Sequence, residues 1–455
     1  MYSAIYENVL FPLYEKMLRR RNTLSYRREL ERSQWLPAED LKKVQWQKVK
    51  RLLSHAYENV PFYRERFDAI GLHPQDIQDP QDFQKIPFLT KEDIRNNQDK
   101  LLALNYRNRK KYNQTTGGST GTPLFFKHDH DNYEYRAAGV KRAYGWAGYR
   151  DGEKTLFIWG APVTKQPFFK KFKHDLDEAL KRHVIFNTFY FDETMMEKCL
   201  RYLNRAHPAH IIAYTMPLFN FAKYLRQKKQ RVHSPRSIIA AAEKLYPYQR
   251  ELIESVFGCK VFETYGCREV SSIAAECEKH QGMHVNMETI YMEIVKGGEC
   301  PPQGELGEVV LTDLTNYCMP FIRYKNDDIG AFSERRCECG RGLELVKEIE
   351  GRILNTIKTP EGKLIPGEFF IYWFMGFDEI KQFQVRQDSL EEITVTMVPG
   401  RTLAESRKKS LLDVIRKIMG DKVRVDFRFV DNIPLTCSGK FQVVISNVPV
   451  DFKNN

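Results

Sequence analysis

The 455-residue chain lacks an apolar run of the roughly 18 residues that a membrane-spanning helix needs. Its opening segment, residues 1–18, is apolar but carries Glu7 and Glu15, has its arginines after the apolar part and has no small-residue cleavage site. It is therefore not expected to be a secretory signal, and a cytoplasmic location is expected. Nine cysteines without framework spacing read as reduced thiols or metal ligands rather than disulfides. The net charge of +12 is scattered over short basic runs, at 19–21 and 107–111, with no aromatic interleaving typical of a nucleic-acid module. No nucleic-acid partner is expected, and a positive field serves equally to attract nucleotides or an anionic surface. A Gly-rich loop is present, yet no lysine follows Gly121, which excludes a Walker A motif.

What is present is globular: 42% hydrophobic and 29% charged residues, in a chain too long for one core. Residues 1–34 form an amphipathic arm in which Ile5, Val9, Leu10, Leu13 and Leu18 share a face and Pro12 marks a kink or boundary. Packing against the body is the expected use of that face; peripheral membrane contact is the minor alternative. Pro-broken helices follow to about residue 97, with Thr90 and Asp93 spaced as a capping pair. A helix over 131–146, a buried strand over 154–160, and a basic, aromatic-rich insertion over 161–187 come next. Apolar runs at 211–214, 237–242 and 260–264 alternate with helical stretches, which predicts βαβ units and a largely parallel sheet. Strand-like runs with turns at Gly297-Gly298 and Pro301-Pro302 predict an antiparallel subdomain. A boundary after Arg352 leaves about one hundred residues for a small α+β module. The expectation is an α/β protein with an arm (1–34), a large domain (35–352) and a small mobile C-terminal domain (353–455).

Five segments carry chemistry. In Thr115-Thr116-Gly117-Gly118-Ser119-Thr120-Gly121-Thr122-Pro123, glycines allow close backbone approach and hydroxyls and N–H groups supply donors for phosphate oxygens. Glu263-Thr264-Tyr265-Gly266-Cys267-Arg268-Glu269 places an aromatic, a glycine and a carboxylate at a predicted strand end, where parallel sheets bind ligands. In Arg323-Tyr324-Lys325-Asn326-Asp327-Asp328, a carboxylate can accept both vicinal hydroxyls of a ribose. Glu350-Gly351-Arg352 stands at the expected domain boundary, and Pro434-Leu435-Thr436-Cys437-Ser438-Gly439-Lys440 sets a lysine on a glycine loop.

In this order, from about residue 35 to Lys440, the motifs resemble those of the adenylate-forming superfamily. The pieces His55-Ala56-Tyr57, Val60-Pro61-Phe62-Tyr63-Arg64 and Pro87-Phe88-Leu89-Thr90-Lys91 resemble the opening of the phenylacetate-CoA ligase family and its relatives from capsular polysaccharide loci. The resemblance implies ATP- and Mg²⁺-dependent adenylation of a carboxylic acid, then transfer to CoA or another thiol or amine. It assigns the phosphates to Thr116, Gly117, Gly118, Ser119, Thr120, Gly121 and Thr122, and the nucleotide to Tyr265 and Gly266, with Tyr265 against the adenine. Glu269 would take Mg²⁺, Asp328 the ribose, Arg352 the nucleotide, and Lys440 the adenylation step. Ala241-Ala242-Glu243 resembles the family's turn beside the substrate, and Tyr214 lies in an aromatic run suited to the same pocket. Arg268, Lys325, Asn326 and Leu354 depart from the family pattern, and a nucleotide binder without turnover is the alternative reading.

Separately, Cys277, His284, Cys337 and Cys339 offer three thiols and an imidazole to a structural Zn²⁺, with buried free cysteines as the competing reading and Cys267 as a substitute ligand. A homodimer is compatible with the sequence, which does not decide it.

Overall fold

The computed structural model describes residues 2–116, 124–160, 168–188, 191–352, 356–362, 364–366, 379–401, 403–420, 423–435 and 441–448, together with Phe370, Phe374 and Phe377. Of the sequence-assigned site residues, Gly117 to Thr122 and Lys440 lie outside these.

A hairpin of β1 (Tyr112–Thr115) and β2 (Phe125–His128) precedes the main sheet. That sheet contains β3 (Thr155–Trp159), β4 (His183–Asn187), β5 (His210–Tyr214), β6 (Ser237–Ala241), β7 (Val261–Cys267), β8 (Ser271–Glu276), β9 (Met283–Val285), β10 (Ile290–Val295), β11 (Gly307–Asp313), β12 (Tyr324–Phe332) and β13 (Leu345–Arg352). Its spatial order is β10-β11-β12-β13-β9-β8-β7-β6-β5-β3-β4. Strands β3 to β7 pair in parallel, and every pairing from β7–β8 onward is antiparallel. The antiparallel strands expected from the turn signals thus continue the same sheet. The parallel half is built as the sequence predicts: helices Thr215–Gln227 and Pro247–Phe257 join strands whose residues 210–214 and 237–241 are buried throughout. Continuous apolar runs fit there because both faces of the sheet are covered.

The segment 161–187 differs from the expected insertion. Helix Phe168–Lys181 and β4 complete another βα unit, and β4 forms the parallel edge beside β3. As an edge strand it is only half-buried, so its sequence is more polar than those of its neighbours.

The arm also differs. Tyr2–Leu18 is helical through Pro12, because turns with i→i+5 hydrogen bonds flank the Phe11–Leu13 segment. Its packed face is Tyr6, Phe11 and Glu15, whereas Ile5, Val9, Leu10 and Leu13 face outward. The helix Thr23–Ser33 lies along helix His130–Trp146, with the Tyr26 and Tyr135 rings stacked at 3.7 Å.

Beyond residue 356, β14 (Thr356–Lys358) pairs with β15 (Leu364–Pro366). A second sheet, ordered β18 (Arg424–Phe429), β17 (Glu392–Pro399), β16 (Ile380–Ser389), β19 (Val444–Ser446), packs with helix Glu405–Met419. Residues from Ile357 to Val444 form a hydrophobic cluster of their own. Among the described residues, no helix is long and apolar enough to cross a membrane.

Candidate active site

The seam where parallel pairing gives way to antiparallel pairing gathers the motifs. Strand β7 ends in Tyr265-Gly266-Cys267 and turns through Arg268-Glu269 into β8. Only glycine fits at 266, since a Cβ there would lie 2.4 Å from the Ser271 carbonyl oxygen.

The Tyr265 hydroxyl donates to Asp328 Oδ2 at 2.7 Å. Asn326 Nδ2 donates to both the Tyr265 hydroxyl (2.8 Å) and Asp328 Oδ2 (2.6 Å), while the Asp328 N–H returns to Asn326 Oδ1. Burial, and then the Asp328 charge, push the Tyr265 hydroxyl well above its ordinary pKa, so it stays a donor. Arg352 stands opposite Asp328 in the β12–β13 ladder. Asn326, a departure from the family pattern, is thus the bridge between the two assigned side chains.

Glu269 is buried, and one of its oxygens accepts from the Tyr324 hydroxyl at 3.0 Å. Arg136, on helix His130–Trp146, fixes the turn by donating to the Arg268 and Glu269 carbonyls at 2.7 and 2.9 Å. Arg268 in turn donates to the Thr115 carbonyl at 3.0 Å. That bond ties the turn to the base of the Gly/Ser/Thr loop, which is closed by Thr116 N to Leu124 O (3.0 Å) and Leu124 N to Thr116 Oγ1 (2.9 Å). Tyr324, Arg136 and Arg268 escape a motif reading because their contacts run between elements far apart in sequence.

The Pro87–Lys91 segment braces the third motif from behind. Leu89 pairs with the backbone on both sides of Tyr324, and Lys91 forms an ion pair with Asp327.

Across the seam, Ala241 ends β6 and Ala242 follows with a φ of 72°, a left-handed conformation unusual for alanine. This turn aims Glu243 at the start of helix Thr215–Gln227, where its carboxylate accepts from the Met216 N–H at 2.8 Å and its carbonyl from Thr215 Oγ1 at 2.9 Å. The Glu243 carboxylate also accepts from the Phe441 N–H at 3.3 Å. Tyr214 faces Trp159 with ring centroids 4.3 Å apart. Lys244 pairs with Glu350 at 2.8 Å, joining this turn to the Gly351-Arg352 segment. The structure therefore brings together Thr116, Tyr265, Gly266, Glu269, Asp328 and Arg352 on one side, and Tyr214, Ala241, Ala242 and Glu243 on the other.

The cysteine cluster lies apart from this seam. The ligand atoms of Cys277, His284, Cys337 and Cys339 fall within 4.8 Å of one another. Cys277 and Cys337 sulfurs are 3.6 Å apart, and Cys339 Sγ is 3.2 Å from His284 Nε2. A tetrahedron with metal–sulfur bonds of about 2.3 Å has edges near 3.7 Å, so the spacing fits. Burial and the nearby Arg341 charge hold His284 down to about 4, a neutral imidazole with a lone pair to give. Burial works against ionising Cys339, but the Arg341 N–H bond at 3.5 Å and its guanidinium bring that thiol below its ordinary value. Cys267 is not part of the cluster.

The CapK C-terminal domain family matches residues 357–447. A phenylacetate-coenzyme A ligase of Thermus thermophilus is 28% identical over 340 residues, covering 72% of this chain and 73% of that protein. Protein CapK of Staphylococcus aureus is 23% identical over 450 residues, covering 98% and 97%. Among solved structures, 2-hydroxyisobutyryl-CoA ligase in its postadenylation state superimposes with a TM-score of 0.69 at 20% identity over 92% of each chain. In sequence the chain is similar to phenylacetate-coenzyme A ligases and to protein CapK, and its fold is similar to that of 2-hydroxyisobutyryl-CoA ligase.

Proposed function

We propose that the protein activates a carboxylic acid with ATP and passes the acyl group to CoA or to another thiol or amine. The observation that carries this reading is the Tyr265–Asn326–Asp328 triangle, with Arg352 in register and Glu269 on the adjoining turn. The names of the phenylacetate-coenzyme A ligases it resembles support the same chemistry.

In the first step a carboxylate oxygen attacks the α-phosphorus in line, the bond to the bridging oxygen breaks, and pyrophosphate leaves. In this reading Tyr265 lies along the adenine, and Asp328 exchanges its Tyr265 and Asn326 donors for the ribose hydroxyls. The loop from Thr116 through Gly117, Gly118, Ser119, Thr120 and Gly121 to Thr122 wraps the β- and γ-phosphates. Tyr214, Ala241, Ala242 and Glu243 line the acid pocket. Lys440 neutralises the charge growing on the α-phosphate. Its neighbour Phe441 donates to Glu243, which supports a closed arrangement of the C-terminal module, residues 353–455, over the large domain, residues 35–352. In the second step the nucleophile attacks the acyl carbon and AMP departs; that module would turn to clear Lys440 from the face the acceptor needs.

Glu269 fits Mg²⁺ as a buried hard oxygen donor whose second oxygen has no hydrogen bond among the described residues. Bound there, Mg²⁺ would supply charge neutralisation to the phosphates. Cys277, His284, Cys337 and Cys339 fit a structural Zn²⁺, with four protein ligands and no open position for catalysis. A capsular polysaccharide role, which the similarity to protein CapK supports, and a cytoplasmic location belong to the same proposal.

The test is exchange of label between pyrophosphate and ATP across a panel of carboxylic acids. Lys440→Ala should lower exchange by roughly 100- to 1,000-fold while leaving AMP binding and melting temperature in place. AMP binding with no exchange for any acid would select a nucleotide-binding protein without turnover instead.

A further inference from the structure

The inward and outward faces of the N-terminal helix differ in a way that its packing does not use. Inward, the Tyr2, Tyr6 and Phe11 rings stack in series at 6.2 and 6.0 Å, Lys141 sits over Phe11, and Glu15 pairs with Arg21. Outward, Ile5, Val9, Leu13 and Met17 recur every fourth residue with Leu10 beside them, and their exposure runs from 39% to 71%. That spacing sets them in one row about 18 Å long.

A second exposed row belongs to helix Phe168–Lys181, where Phe172, Leu176 and Leu180 also recur every fourth residue, at 59%, 50% and 46% exposure. The two rows meet. The Tyr2 hydroxyl donates to the Leu180 carbonyl at 2.7 Å, and Arg182 lies over the Tyr2 ring at 5.0 Å. Soluble proteins rarely leave an apolar ridge of this kind uncovered.

Charge decides what covers it. Lys16, Arg19, Arg20 and Arg21 follow one row in the sequence; Lys170, Lys171 and Lys173 open the helix that carries the other; Lys181 and Arg182 stand at the junction. Some of these charges cancel, since Glu15 pairs with Arg21 and Asp177 and Glu178 with Lys181, while Glu7 pairs with Arg27 and Asp175 stays exposed; the nine cations named still outnumber these five acids. A second copy of this chain would bring the same cationic borders toward one another. An anionic lipid surface offers hydrocarbon to the ridge and phosphates to its borders, the combination that interfacial helices use. We infer that this ridge docks the protein peripherally on an anionic membrane.

The experiment is flotation of the full-length protein with phosphatidylcholine vesicles, with and without phosphatidylglycerol, at low and high salt. Wild type should float with the mixed vesicles, at least tenfold less with phosphatidylcholine alone, and be released by salt. Met17→Glu combined with Phe172→Glu should lower binding at least tenfold, and Arg20→Gln about fivefold, each with unchanged melting temperature and, where exchange is present, unchanged exchange. No flotation with anionic vesicles, or equal flotation with both vesicle types, overturns the inference. So does a wild-type dimer by sedimentation that Met17→Glu dissociates while lipid binding is absent.

Discussion

The two halves of the eleven-stranded sheet solve the same problem with different materials. In the parallel half the interiors of β5 and β6 are wholly apolar: Ile211, Ile212, Ala213, Ile238, Ile239 and Ala240 are fully buried. Polar groups appear at the strand starts, where Thr155, His210 and Ser237 stand in register and His210 bonds to Ser237 Oγ and Glu153, both at 2.8 Å. The antiparallel half puts charge into its interior. Arg142 and Glu288 pair at 2.7 Å with their side chains 1% exposed, and Arg323 pairs with Glu293 at 3.1 Å at 2% and 3%. Arg142 also donates to Asn286 (2.6 Å) and the Leu30 carbonyl (2.8 Å), and Arg323 to the Ile86 carbonyl (2.6 Å). Apolar packing tolerates small slips, whereas a fork of donors with several fixed acceptors does not. The half that holds Tyr324, Asn326 and Asp328 is thus positioned by directional bonds, and the half that walls the proposed acid pocket by volume.

Breaking that contrast should be most costly at Glu293. Glu293→Gln strands a buried guanidinium next to the third motif and should cost about 3–5 kcal/mol in urea unfolding. Replacing both partners, Glu293→Leu with Arg323→Met, should recover most of the stability. If the pair serves to place Tyr324 and Asp328, the double variant keeps a raised KM for ATP even with stability restored. A double variant with normal KM would show that the charges add nothing to the site.

The cysteine cluster sharpens the same comparison. It joins the loop after β8, the strand β9 and the loop before β13, next to Gly342, whose N–H donates to the Gln34 carbonyl at 3.0 Å. Cys337→Ser should remove about one zinc per chain by elemental analysis and lower the melting temperature. Hydrogen exchange should rise in β9 and β13 while β5 and β6 keep their protection. Equal loosening of both halves would argue against a local clamp.

Much of this contrast was legible in the sequence. Uninterrupted runs such as 211–214 and 237–242 identify buried parallel strands, and the motif residues Tyr265, Glu269, Asp328 and Arg352 are brought to one seam by the fold. The N-terminal helix was not legible in the same way. Two apolar rows are present there, and periodicity chooses the stronger, Ile5, Val9 and Leu13; the packed row contains Glu15, whose burial depends on Arg21, and passes through wide turns that shift the phase. Asn326 read as a departure for a related reason: its role exists only once Tyr265, 61 residues away, lies within 2.8 Å.

At the seam itself, Glu263 on β7 offers a smaller and pH-dependent effect. Burial, and then repulsion from Glu276, raise its carboxyl to about 7, against the bond from the Leu245 N–H at 3.0 Å. The unfolded chain loses this proton near 4.5 while the folded chain keeps it. The contribution to stability is therefore complete below 4.5, declines as pH rises toward 7, and is gone above it, an effect of at most about 3 kcal/mol. Glu263→Gln should flatten this part of the melting-temperature profile between pH 5 and 7.5. An unchanged slope in that variant would assign the pH dependence elsewhere.

The smallest effect belongs in the interior of the parallel half. Ile239 on β6 packs with Ile212 and Phe262 in the cluster on one face of the sheet, with no polar partner to lose. Ile239→Val removes one methylene and should cost about 1 kcal/mol, with KM for ATP unchanged because nothing directional has been disturbed. The proposed acid pocket begins at Ala241, two residues on and on the same face of the strand, so the relaxation that fills the gap should show in the ranking of carboxylic acids instead. A shift in acid preference without a shift in ATP affinity would separate positioning by volume from positioning by bonds within one continuous sheet; a change in ATP affinity of the same size would merge them.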